Sequence, residues 1–259
     1  QQIAPLPWEQ KLAKLREPEV RAALTNMQVI EMAAQVNQEA AFFLRGMARL
    51  FVLTANAQGS VDYEPLLGDS VVARAKATGA NPLEVAYDAM LANGGANDGK
   101  GLLYFPIFNY SYGDLSMSYE AHRHPGTRMG LSDAGAHCGA ICDGGMPTFM
   151  LTHWVRDRRR GPRLPLEHVV HRQTRQTAEL YGLGDRGLVA PGLRADLNVI
   201  DLDRLGFDVP RMAFDLPAGG RRLVQRGRGY VASFVAGVQT VDHDEPTGEM
   251  PGRLVRGPR

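Results

Sequence analysis

The run Gly-Leu-Leu-Tyr-Phe-Pro-Ile-Phe at positions 101–108 narrows the folding options more than any other stretch. It is short, almost continuously apolar and rich in aromatics, the pattern of a strand covered on both faces. A polar loop, Asn-Tyr-Ser-Tyr-Gly-Asp at 109–114, leaves its C-terminal end. The spacing then predicts a helix over 115–122 and a second short strand over 127–133, which also runs into a polar loop. Strand, loop, helix, strand and loop in this order is the rhythm of a parallel α/β sheet or barrel.

Around this segment the chain reads as helical before it and β-rich after it. Leu12, Leu15, Val20 and Leu24 recur at roughly helical spacing, with Pro18 separating two short helices. The stretch 27–50 is rich in Ala, Gln, Glu and Met and favours helix on propensity. Residues 70–78 and 82–92 are helical, the second with Asn81 as N-cap and Pro82 in its first turn. Helix returns over 147–156 and 165–181. From Gly182 onward Gly, Pro and Arg rise and short β segments take over, including a hairpin that turns near Ala236 and Gly237. Two domains are expected, residues 1–185 and 186–259.

Composition excludes several classes. Twenty-nine basic residues against 28 acidic ones leave a net charge of +1 in 259 residues, so a globally basic nucleic-acid binder is not expected. The two cysteines, Cys138 and Cys142, build neither a disulfide framework nor a four-cysteine zinc site, and they fit a reducing, cytoplasmic setting. No apolar run approaches the ~18 residues that would cross a bilayer, and the first residues lack the basic and apolar regions of a leader.

The richest chemistry lies in Gly-Leu-Ser-Asp-Ala-Gly-Ala-His-Cys-Gly-Ala-Ile-Cys-Asp at 130–143. A carboxylate at the C-terminal end of a buried strand, followed by a Gly-rich loop, is where α/β barrels place catalytic groups; the plainer alternative is an Asp that caps the next turn. Gly130 to Ala134 falls one glycine short of a nucleophile elbow. His122 and His124 have a metal-like spacing but sit where a helix runs into Pro125-Gly126. His168 and His171 share a helix face with Arg172 and Arg175, expected to be solvated. His153 is expected to pack with Trp154, and His243 to be exposed. The arginines at 156, 158–160 and 163 read as a solvated helix end, and the two cysteines as small buried hydrophobes. His137, four residues after Asp133, is the one histidine that remains a candidate.

The run GLSDAGAH, the upstream LLYFPIFNY, the downstream PTFMLTHWVRDR and the module DRGLVAPGLRADLNVID together resemble the amidohydrolase superfamily, and within it the N-acyl-D-amino-acid deacylase branch. The resemblance covers 60–259 well and 5–25 loosely, and does not extend to 26–50. It implies an α/β fold: the C-terminal part of a (β/α)8, TIM-like barrel of a metal-dependent hydrolase, plus a small β-sandwich. It further implies zinc, one or two ions, and hydrolysis of non-peptide amide bonds in small N-acyl amino acids. Asp133 would be the last-strand aspartate that contacts the metal, takes a proton from the attacking water and delivers it to the leaving amine. Asn109, Tyr110 and His137 would line the substrate pocket. The family's paired metal histidines have no counterpart in this sequence, so a single carboxylate is the whole of the expected donor set.

Two rivals stand beside that expectation. One is a non-catalytic fragment that needs a missing N-terminal half or a partner chain. The open strand edges of an incomplete barrel predict association in that case, including with further copies of itself. The other is a metal-free hydrolase using Ser132 or Cys138.

Overall fold

The computed structural model describes residue 3 and residues 6–55, 59–130, 132–135 and 137–255. It is a mixed α/β protein that divides into two compact units, Gln1–Ser118 and Tyr119–Arg259.

In the first unit α1 (Trp8–Leu15) and α2 (Pro18–Leu24) are separated at Pro18, as expected, with Pro18 itself opening the second helix. The helical stretch after α2 is broken once. Asn37 ends α3 (Met27–Val36) in an extended conformation, and its side-chain oxygen caps α4 (Gln38–Gly46) by accepting from the backbone N–H groups of Glu39 and Ala40. Cap chemistry overrides propensity here, because Asn satisfies two donors that a continuing helix would not have orphaned. Strand β1 (Phe51–Leu53) comes next, then α5 (Val71–Thr78), capped by Ser70, and α6 (Pro82–Ala92), capped by Asn81.

The apolar run at 101–108 supplies β2 (Leu102–Tyr104), which pairs with β1 in antiparallel register, Phe51 opposite Tyr104 and Leu53 opposite Leu102. The expected parallel arrangement is therefore not what forms among the described residues. An apolar run reports that helices cover a strand, and it carries no information about strand direction. Leu50, Val71 and Ala86 form the buried core, with Val52, Val85, Leu103 and Phe105 packed against it. Gly46 lies under Phe105 so closely that a Cβ there would stand 2.1 Å from the ring.

Helix α7 (Ser116–Arg123) runs across the division at Ser118. The second unit continues with α8 (Met146–Phe149), which passes into a π-helical stretch, Met150–Asp157. The wider turn is visible in the bond from Arg158 N–H to the His153 carbonyl, 2.8 Å and five residues back. Helices α9 (Leu166–Gln173) and α10 (Arg175–Leu180) complete the helical part, broken at Thr174.

Among the described residues the β-rich end holds eight short strands. β3 (Leu197–Ile200), β8 (Tyr230–Val235), β9 (Val238–Asp242) and β10 (Glu245–Pro246) make a sheet in the order β10-β9-β8-β3. Two antiparallel pairs accompany it: the hairpin of β5 (Arg211–Leu216) with β6 (Gly220–Val224), and β4 (Gly206–Phe207) with β7 (Gly227–Arg228), which flank that hairpin in sequence. The turn at Ala236 and Gly237 is where it was expected, both residues at positive φ, which is the geometry that matches the twist of a two-residue hairpin. Every described sheet is small and none closes on itself.

Asn81 does two jobs, accepting from Leu83 N–H at 2.9 Å and donating its amide to the Thr25 carbonyl at 2.7 Å. Asn81→Ala is expected to lower stability by about 1–2 kcal/mol, read as a lower denaturant midpoint at unchanged slope. An unchanged midpoint would show that the cap is dispensable.

Candidate functional site

The segment leading to Asp133 is not a strand. Residues 127–130 run without a ladder partner, and Leu131 lies outside the described residues. The first carbonyl such a ladder would use is taken. The Thr127 carbonyl accepts from Arg172 Nη2 at 2.9 Å and from Arg128 Nη1 at 2.7 Å. Arg172 also donates to the Thr127 hydroxyl at 2.9 Å. Far from being solvated, Arg172 is 2 % exposed, and burial together with nearby Arg128 lowers its pKa.

Beyond this anchored turn the Gly-rich loop opens. Asp133 and His137 are exposed on it, and Gly135, at φ +93°, permits the tight turn in which Cys138 N–H reaches the Gly135 carbonyl at 3.0 Å. The Cys138 carbonyl in turn accepts from Leu223 N–H of β6 at 2.9 Å. The loop doubles back on itself, since a Cβ on Gly144 would stand 3.4 Å from that of Ala134. Asp143 thereby comes into the field of Asp133. Burial and that second carboxylate raise the Asp143 pKa.

The two cysteines are half-buried, less enclosed than expected. Burial, Asp143 and Cys138 together push the Cys142 thiol up, which keeps it protonated and weakly nucleophilic.

The remaining candidates belong to other segments. Asn109 and Tyr110 belong to the first unit. Asn109 is exposed, whereas Tyr110 is fully enclosed, its hydroxyl donating to the Pro65 carbonyl at 2.5 Å and its ring meeting Phe51 edge-on. His122 packs edge-on to Trp154, with ring centroids 5.1 Å apart, and His153 does the same at 5.2 Å, as expected. His168 is committed to structure, its Nε2–H donating to the His122 carbonyl at 2.9 Å. Arg158 was expected among solvated arginines. It is buried instead, its guanidinium 4.6 Å from the Trp154 ring centroid. Charge pattern alone could not show this, although an aromatic at i−4 was the available signal.

A cavity of about 540 Å³ begins at Gly144 and Gly145 and runs beside Thr148, Phe207, Gln225 and Tyr230. Asp133 and His137 are not among its walls. The hydroxyls of Thr148 and Tyr230 share a 2.6 Å hydrogen bond there.

As for a metal, no group of three or more His, Cys, Asp or Glu side chains among the described residues is arranged to hold one. A zinc site needs three or four such ligands, so the donor set described here does not fit a complete one. No helix among the described residues is long and apolar enough to cross a membrane.

Comparison with known proteins agrees with this picture at the level of the family. A family model described as "Amidohydrolase family" matches residues 12–241. Uncharacterized proteins of Mycobacterium bovis and of two strains of Mycobacterium tuberculosis are each 32 % identical to the chain over 146 residues. That segment is 56 % of this chain and 23 % of each relative, so the match spans under a quarter of their length. No solved structure matches the chain.

Burial, Arg172 and His168 push His122 down to about 4 from its ordinary 6.5. The imidazole is therefore neutral in the folded state while the unfolded chain protonates below its ordinary value. Stability is expected to fall as pH drops from about 6.5 to about 4 and to level off below that. Thermal unfolding across that range should show a shallower slope in His122→Asn; an identical slope would locate the pH dependence elsewhere.

Proposed function

The chain belongs to the amidohydrolase family, and on that premise we propose that it is the Asp133-bearing part of a metal-dependent hydrolase of non-peptide amide bonds, acting on small N-acyl-D-amino acids. The observation that carries this reading is the family match across 12–241, within which Asp133 stands exposed on a Gly-rich loop beside a second carboxylate. The proposed architecture is the C-terminal part of a (β/α)8 barrel followed by a small β-sandwich.

Asp133 is the proton carrier. Its carboxylate takes a proton from the attacking water and hands it to the leaving nitrogen, so that the amine departs neutral. Exposure suits that task, because the group must meet both water and substrate. His137, four residues on in the same loop, is the proposed neighbour of the substrate. Zinc is the proposed cofactor and would supply a water of lowered pKa when bound. The residues described here offer Asp133 and no full set of ligands, so the others come from outside them.

A second reading, a non-catalytic unit that folds against a partner chain, draws on the face of α3, where Met32 and Val36 are 68 % and 90 % exposed. Light scattering separates the two: the enzyme reading expects a defined species whose metal is removable, and the partner reading expects heterogeneous association without turnover.

In the full-length protein Asp133→Asn should lower kcat by about 100-fold or more while far-UV circular dichroism stays the same. Dialysis against a chelator should abolish turnover, and added zinc should restore it. Turnover unchanged by Asp133→Asn would remove Asp133 from the chemistry.

A further inference from the structure

The cavity of about 540 Å³ in the second unit has a chemistry of its own. Its volume is that of a small-molecule site, and neither Asp133 nor His137 is among its walls. Helix α8 supplies Thr148, β4 supplies Phe207, and β8 and β9 supply Tyr230 and Val241. Two aromatic rings and an aliphatic side chain thus give it an apolar lining.

Two observations mark its polar side. The Thr148 and Tyr230 hydroxyls share a 2.6 Å hydrogen bond, and neither hydroxyl has another partner among the described residues. The pair carries two hydroxyl hydrogens and that bond consumes one, so one O–H donor stays unspent whichever group donates. Thr148 is 5 % exposed, an enclosed setting in which an unmet hydrogen bond is costly. Gly227, in β7, keeps the pair uncovered. A Cβ there would stand 3.2 Å from the Tyr230 ring and 3.9 Å from the Thr148 hydroxyl. Glycine inside a strand is a recurring mark of close approach by a ligand or another backbone.

The charged part of the lining is already committed. Arg226 pairs with Glu245 and donates to the Asp244 carbonyl, while the Asp244 carboxylate accepts from the Tyr230 N–H at 2.6 Å. An anion would find its cation taken and two carboxylates nearby, so the lining favours a neutral guest.

We propose that this cavity is a binding site for a small, neutral aromatic carbonyl compound. Its ring lies against Phe207 and Tyr230, and its carbonyl oxygen accepts the unspent hydroxyl hydrogen. The site is independent of the chemistry assigned to Asp133.

The test is a calorimetric titration of the protein with acetophenone, which has no amide bond to cleave. Saturable binding is expected, with a Kd of about 1 mM for so small a ligand. Benzoate, of similar shape but anionic, should bind about fivefold more weakly or worse. Val241→Trp fills the cavity and should abolish binding, whereas Val241→Ala leaves it open and should stay within about twofold of wild type. Thr148→Val combined with Tyr230→Phe removes both hydroxyls and should weaken binding by about fivefold or more. Far-UV circular dichroism checks that each variant is folded, and if Val241→Trp is not, the hydroxyl variant decides. No saturable binding by the wild type overturns the proposal. So does undiminished binding in the folded Val241→Trp or hydroxyl variant, or a preference for benzoate.

Discussion

The second unit is organised around a buried cation. Taking a guanidinium out of water costs several kcal/mol unless its donors find acceptors, and Arg172 finds acceptors for its two Nη groups in a single place, while its buried Nε is left without one among the described residues. Its Nη2 reaches both the carbonyl and the hydroxyl of Thr127, and its Nη1 points at the His124 carbonyl at 3.4 Å. One helical turn earlier on the same face of α9, His168 holds the His122 carbonyl. The C-terminal end of α7 and the turn after it are thus fixed at two points four residues apart on one helix. The loop with Asp133, next along the chain, starts from a fixed base.

Trp154 is the apolar counterpart of that clamp. It is 1 % exposed, with His122 and His153 at its edges and Arg158 against its face. The π-helical turn around it ends in the Arg158 N–H bond to His153, so the same residue closes the turn and covers the indole. Confinement among these groups keeps His122 neutral. A rigid, water-poor base beneath an open glycine-rich loop is a common division of labour, in which the scaffold supplies position and the loop supplies chemistry.

Local signals were legible where one residue decides the outcome. Pro18, Asn81 and the Ala236-Gly237 pair each fix a backbone event within a few residues, and each appears where expected. Asn37 carried the same kind of signal, hidden inside a stretch whose composition favoured unbroken helix. The run at 101–108 was legible as buried and illegible as to direction, because strand direction depends on a partner about fifty residues away. Residues 127–133 had the composition of a strand, but Arg172 occupies the Thr127 carbonyl, the first backbone acceptor that a ladder would have used.

The sequence by itself determined the family, the positions of most helix boundaries and the placing of Asp133 and His137 on one glycine-rich loop, since these depend on residue type and short spacing. Tertiary structure alone decided which arginines are buried and which stand free. Arg158 and Arg172 lie under aromatic and backbone partners, whereas Arg221 lies open over Gly139, and apart from Trp154 four residues before Arg158 nothing in their local sequence distinguishes them. A charged side chain's environment is set by acceptors that the fold brings from elsewhere, for Arg172 about 45 residues away. The chemistry of the loop therefore depends on contacts that spacing along the chain does not encode.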